Sequence, residues 1–294
     1  MKVIFGNYAS PTSTEAIYLT EILNSSVNSI EARLWDENKI SAYDMFDSLK
    51  PDLYITSYNQ ISRDVLKYLS KSSQKIDVVL NVTGATQEEL DNINQIFKEL
   101  KISSPFLFDN TPSLLSNYTI QPNQIKIESI LPGADVFINR NAPIDFNVGA
   151  AIVSTNPDKK ENVLWANYET HHKVLISGEN NDDYDLCLPS VRFTSLCDNY
   201  ANIVFYDDVY NMFSQNFFDI LLSAKNFDVE MDDENLNKYE KVWNSLFSSD
   251  GLNMQDVKRE IREKHTNFDR AARLLQKLGL KDEVEEVKRA KAKL

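Results

Sequence analysis

The sequence predicts an α/β fold built as two parallel-sheet halves. Two patterns in the chain point there. Short apolar strands alternate with amphipathic helices of ~10–14 residues, the signature of a parallel sheet wrapped by helices. A stretch from Tyr118 to Ala150, holding Pro122, Pro132, Pro143, Gly133 and Gly149, then breaks the alternation, and a second, shorter one follows it. Length agrees, because 294 residues are too many for one small core and suit two domains of ordinary size.

The first alternation opens with a strand over Lys2–Phe5 and a polar turn, GNYASPTST. A helix follows from about Ser13, with Ala16, Ile17, Leu19, Ile22 and Leu23 on one side, and Thr12 with Glu15 three residues on is a capping-box pattern. A strand is expected near Ile30–Leu34, and LKPDLYITSYN reads as turn, buried strand, turn. Leu66 and Leu69 mark a short helix, KIDVVLNVTG a strand, Gln87–Leu100 a clear helix, and PFLFDN a last strand.

In the second alternation HHKVLIS and ANIVFYDD read as strands, with PSVRFTSLCDN between them as a helix. Val209–Leu222 and Leu236–Phe247 read as further helices. Asn253–Leu278 is helical with Val257, Ile261, Phe268, Ala272 and Leu275 at spacings of three, four and seven, and a kink is expected near His265. The final EVEEVKRAKAKL is charged and is expected to fray. The organisation read from this is an N-terminal Rossmann-like domain over 1–120, a C-terminal Rossmann-like domain over 121–280, whose closing helices have the option of crossing back onto the first, and a charged tail over 281–294.

Composition narrows the function classes. Hydrophobic residues make up 42% and charged residues 26%, so a packed core is expected and global disorder is not. The formal net charge of −13 argues against a large phosphate-binding face. No apolar run approaches the ~20 residues of a spanning helix, and the N-terminus lacks the apolar core of a secretion signal. A cytoplasmic location is therefore expected, with Cys187 and Cys197 as buried thiols in a reducing compartment.

Four stretches carry a family resemblance. PTSTEAIYLTEIL follows the opening strand, and FLFDNTP delivers an Asp and then a Pro from an apolar strand. LPSVRFTSLCDNYANIVFYDD starts on an Arg-aromatic pair and ends a strand in acids. VKREIREKHTNFDRAARLLQKLGL carries a His-Thr step with a following Arg. Together they resemble GT-B glycosyltransferases of the spore-maturation type, with the T-even phage DNA β-glucosyltransferase as a distant relative. The resemblance implies two facing Rossmann-like domains, with the nucleotide sugar on the C-terminal one and the acceptor on the N-terminal one. It implies metal-independent transfer without a cofactor, to an acceptor that is a glycan, a protein or, as a minority view, DNA.

Glycosyl transfer needs a base for the acceptor proton, donors for the leaving diphosphate and a grip on the nucleotide. Asp109, ending the PFLF strand in a position like the family's, is the candidate base. The alternative is a local cap through Thr111 and Pro112. Arg192 is the candidate diphosphate contact, because a guanidinium presents fixed donors to two phosphate oxygens; otherwise it is a surface Arg in a salt bridge. Gly149, Ser154 and Thr155 are candidate backbone and hydroxyl donors to the phosphates.

The chain also departs from the family pattern. Ser195 stands where a carboxylate usually grips the ribose, and no Arg follows in DFNVGAAIVSTNPDKK, where Lys159 or Lys160 is the available point charge. His171 and His172 are adjacent and point different ways, so they make a poor metal pair. Asp183-Tyr184-Asp185 is a literal D-x-D in a chain with 44 acidic residues, where such a triplet arises by chance. Neither a Walker A nor a G-x-G-x-x-G sequence is present. Tyr54, Tyr58, Tyr206 and Tyr210 flank strand ends and either stack on a ligand or pack the core. Two readings result: an active glycosyltransferase, or a non-catalytic relative with a degenerate donor site that binds or scaffolds.

Overall fold

The computed structural model describes residues 1–6, 14–111, 118–119, 124–136, 149–154, 171–176, 182–188, 200–206, 215–230, 233–247 and 253–294. The fold is α/β, with two parallel sheets and flanking helices, as the alternation predicts. The chain forms two compact units. One comprises Met1–Leu131 with Phe268–Leu294, and the other Pro132–Asn267. The last helices thus count with the first unit.

The first unit is built on six parallel strands: β1 (Lys2–Gly6), β2 (Glu31–Trp35), β3 (Leu53–Ser57), β4 (Asp77–Asn81), β5 (Leu107–Asp109) and β6 (Ile127–Ser129). Their order is β2-β1-β3-β4-β5-β6. β1 pairs with β2 from Lys2↔Glu31 and with β3 from Val3↔Leu53, so the winding reverses between β1 and β3. Ile4, Tyr54, Val78, Leu80 and Leu107 come from successive strands into one core with Trp35, Phe46 and Phe97. Trp35 meets Phe46 edge-on at 5.6 Å between ring centroids.

Local sequence fixes the helices. α1 spans Thr14–Ser26. α2 (Ala42–Leu49) starts at Ser41, whose side chain accepts the Asp44 N–H, and α3 (Arg63–Lys71) starts at Ser62, which accepts from Val65. α4 (Gln87–Leu100) opens on a full capping box between Thr86 and Glu89 and closes on Lys101 in the left-handed region, at φ 55°.

The second unit has five parallel strands: β7 (Ala150–Ser154), β8 (His171–Ile176), β9 (Leu186–Leu188), β10 (Asn202–Tyr206) and β11 (Asn226–Glu230). They are ordered β11-β10-β7-β8-β9. Numbered from the unit's own first strand this is 3-2-1-4-5 read backwards, the order of the doubly wound nucleotide-binding fold, with its switch point between β7 and β10. α5 (Gln215–Ser223), α6 (Asp233–Leu246) and α7 (Met254–Lys264) complete it. Phe217 meets Phe205, Phe218, Phe227 and Trp243 edge-on, and Phe218 stacks on the buried His265.

The expected kink near His265 is a full break between α7 and α8 (Asn267–Lys277). Thr266 leaves the helix to form a parallel bridge with Ala134. The Ala134 N–H donates to His265 C=O at 2.7 Å, and the Asn267 N–H donates to Ala134 C=O at 3.0 Å. The segments entering and leaving the second unit therefore run side by side. Gly133 is required there, because a Cβ would fall 2.3 Å from the Thr266 backbone.

The terminal stretch does not fray. It is α9 (Lys281–Lys291), with Val284 and Val287 buried. Its acids are engaged: Ser29 Oγ donates to Glu283 and the Asn28 N–H to Glu286, while Lys291 holds both carboxylate oxygens of Asp269. The charge pattern suggested solvation, but two valines and these long-range bonds outweigh it. Among the described residues no helix is long and apolar enough to cross a membrane.

Candidate functional site

The C-terminal ends of the first unit's strands carry a continuous polar network. It begins at Asn81, the last residue of β4, whose Oδ1 accepts from the Thr83 N–H at 3.0 Å and hydroxyl at 2.6 Å. Thr83 Oγ1 in turn accepts the Asn110 N–H at 2.8 Å. Asn110 Nδ2 donates to Glu15 at 3.0 Å, and its Oδ1 accepts from Arg270 Nη2 at 2.8 Å. Glu15, in the first turn of α1, takes an ion pair from the same Arg270 nitrogen.

Arg270 sits in α8 and is only 1% exposed. Its Nη1 donates to Ile130 C=O at 3.0 Å, and its guanidinium carbon lies 5.7 Å from the centroid of the Phe108 ring. Burial, with the charge of Arg273, pulls the guanidinium down to about 9. The Glu15 carboxylate in contact with it acts in the opposite direction, so the group is charged at neutral pH. Sequence reasoning did not assemble this cluster; the only signal was the Arg after the His265-Thr266 step.

Beside the network, at the β1/β3 reversal, lies a cavity of about 40 Å³. Phe5 and Gly6 of β1, Ile55, Thr56 and Ser57 of β3, Asn81, Phe108 and Gln60 line it, with Glu15, Ala16 and Leu19 of α1. The Thr56 hydroxyl is buried beside the Tyr54 phenol. Beneath Gly6 lies the ring of Tyr54, which a Cβ would strike at 2.4 Å. Burial pushes the Tyr54 phenol well above its usual value, and the nearby Thr56 hydroxyl offsets this in part. Tyr54 is thus core, the plainer of its two sequence readings, and Tyr58 packs against the same core.

Asp109 ends β5, as the sequence reading has it, and is 3% exposed. Its Oδ1 accepts the Thr111 N–H at 2.8 Å, and its C=O accepts the Ile130 N–H at 2.9 Å. The carboxylate therefore holds the turn that points Asn110 into the network.

In the second unit Ser154 ends β7 at the switch point, buried, and Tyr206 ends β10 beside it. Gly149 is a correction. It precedes β7, and its C=O accepts the Asn202 N–H at the start of β10. It lies at the opposite edge of the sheet from Ser154, about 16 Å away over five residues at ~3.3 Å each. It cannot share a phosphate loop with Ser154, because the stretch taken for that loop is itself the strand β7. Thr155, Arg192 and Ser195, with Lys159, Lys160, Tyr210 and Cys197, lie outside the described residues. Among the described residues no group of three His, Cys, Asp or Glu side chains is placed to hold a metal.

Neither a family model nor a curated protein matches the chain. Among solved structures, the chain is similar to the glycotransferase of kitacinnamycin at 9% identity and a TM-score of 0.48, over 94% of this chain and 98% of that one. It is similar to the glycosyltransferase SnogD from Streptomyces nogalater at 13% identity and a TM-score of 0.47, covering 94% and 99%. The E. coli ADP-heptose LPS heptosyltransferase II aligns at 8% identity and a TM-score of 0.29, covering 90% and 98%.

Proposed function

We propose that the chain is a metal-independent glycosyltransferase of the GT-B kind. The second unit takes the nucleotide-sugar donor and the first takes the acceptor, with Asp109 as the base. The observation that carries this reading is the strand order of the second unit. A 3-2-1-4-5 sheet collects ligands outside the carboxyl ends of its strands at the switch point, and Ser154 and Tyr206 stand there. The resemblance of the LPSVRFTSLCDNYANIVFYDD block supports the same placement, with Arg192 on the diphosphate and Thr155 and Ser195 near it.

A second reading is a non-catalytic relative whose donor site has decayed. It is favoured by Asp109, which is nearly fully buried and already accepts a backbone N–H. Calorimetric titration of the chain with uridine, guanosine, adenosine and thymidine diphosphates separates the two. The transferase reading expects one of them to bind, and Arg192→Ala to weaken that binding by about 1.5–3 kcal/mol, the range for a charge-assisted hydrogen bond. Absence of binding by all four abandons it in favour of the second.

A further inference from the structure

We propose that Glu15 is a built-in plug of an oxyanion site. Its carboxylate fills a place that Arg270 and Asn110 frame at the strand ends of the first unit. A free carboxylate or phosphate takes that place once Glu15 is out of it. The site does not rest on the transferase reading.

The donors are held by groups other than Glu15. The Asn110 N–H is tied to Thr83 Oγ1 at 2.8 Å, and Asn110 Oδ1 accepts from Arg270 Nη2 at 2.8 Å. This leaves Asn110 Nδ2 to donate to Glu15 Oε2 at 3.0 Å. Arg270 is fixed in turn by the Ile130 C=O and the Phe108 ring, and its Nη2 meets Glu15 Oε1. Each carboxylate oxygen thus has its own donor, one of them charged. Any anion with two oxygens on one centre can satisfy the same pair.

Burial and access turn this ion pair into a site. Arg270 is 1% exposed, so without Glu15 its charge stands in little water with no counter-ion and favours uptake of an anion. The Glu15 side chain is 13% exposed and lines the cavity of about 40 Å³ at the β1/β3 reversal. Removing its head group therefore adds the volume of a carboxylate to space that is already open. Glu15 also comes from the first turn of α1, where helix amides favour negative charge. A reversal of strand order is where open α/β sheets collect ligands. An anion that displaces Glu15 unties Asn110 Nδ2, one residue from Asp109, so occupancy is felt at the β5 turn.

The test titrates the full-length Glu15→Ala chain with sodium acetate and with inorganic phosphate, chloride keeping the ionic strength constant. Calorimetry reads the affinity, and circular dichroism checks the fold. The tighter of the two anions is expected to bind Glu15→Ala at least about tenfold more strongly than it binds the parent. Acetate as the tighter marks a carboxylate site, and phosphate as the tighter a phosphate site. Glu15→Gln, whose amide keeps the place filled, should bind as weakly as the parent. Glu15→Ala combined with Arg270→Met removes both charges and should lose the binding. Asp269→Ala breaks the Lys291 ion pair, which lies outside the cavity lining, and should create no anion site.

Failure of both anions to bind a folded Glu15→Ala chain overturns the proposal. So does equal binding by the parent, by Glu15→Gln, by the double variant or by Asp269→Ala. Should Glu15→Ala not fold unaided, acetate or phosphate must restore its fold. A chain that stays unfolded in both anions overturns the proposal as well.

Discussion

Arg270 and Glu15 are 255 residues apart in the chain and form an ion pair buried at the strand ends of the first unit. Arg270 also bonds Asn110 and the Ile130 carbonyl, so one guanidinium ties α1, the β5 turn and the end of β6 to α8. Removing it strands the Glu15 charge in a site with little water. Arg270→Met should therefore cost about 3–5 kcal/mol, as breaking one side of a buried pair does. Arg270→Lys should also destabilise, because one ammonium cannot replace the planar fork. Chemical denaturation checks both, and a loss under about 1 kcal/mol for the Met variant would show the pair to be ornamental.

Gly133→Ala tests the paired crossing segments. The added methyl meets the Thr266 backbone, which has no flexible end to yield. A loss of about 1–3 kcal/mol is expected, as for other overpacked sites. Proteolysis should concurrently open cleavage near residues 132–136. Unchanged stability and protease resistance would mean that the Ala134–Thr266 bridge is not tight in solution.

Glu128 supplies a pH prediction. Burial acts to raise its carboxyl, but Lys126 and Lys277 outweigh that and hold it below its ordinary 4.5. The folded value lies below the unfolded one, so its stabilisation is complete above pH 4.5 and drains away as pH falls through the folded value. Glu128→Gln should thus be less stable than the parent at pH 7, with the gap closing towards pH 3. A gap that stays constant across that range would refute the Lys277–Glu128 tie between α8 and β6.

Asp109→Asn separates base from turn residue. The Asn side-chain oxygen can still accept the Thr111 N–H, so the fold and any nucleotide affinity should survive. If Asp109 removes the acceptor proton, turnover with an identified donor and acceptor should fall ~100- to 10,000-fold. Transfer at the parental rate would confine Asp109 to holding its turn.

How much of this was legible depends on the range of the signal. Strands β1, β3, β4 and β5 were legible because each is a run of buried apolar residues bounded by turn residues, and the Thr86 helix start is a local motif; β6 was not, because IES is half-exposed and fell in the stretch read as the crossover. The strand β7 was not, since AAIVS is short and small-residued and coincided with a stretch matched to a phosphate loop. β11 was missed because NFDVE places Asp228 on an exposed face, and the acids read as a solvated loop. Of the site, Asp109 was legible as a strand end. The Glu15–Asn110–Arg270 cluster was not, because no periodicity links residues 15 and 270.

The return of the chain to its first unit has a consequence during synthesis. The ribosome delivers Glu15 long before Arg270, by roughly 13–50 s at 5–20 residues per second over 255 residues. Through that interval the nascent N-terminal sheet carries Glu15 without its counter-ion and lacks the α8–α9 cover. The intervening unit meanwhile emerges in full and is free to fold first. A transcript truncated before codon 268 would leave the older sheet permanently in that state, a natural client for chaperones and proteases.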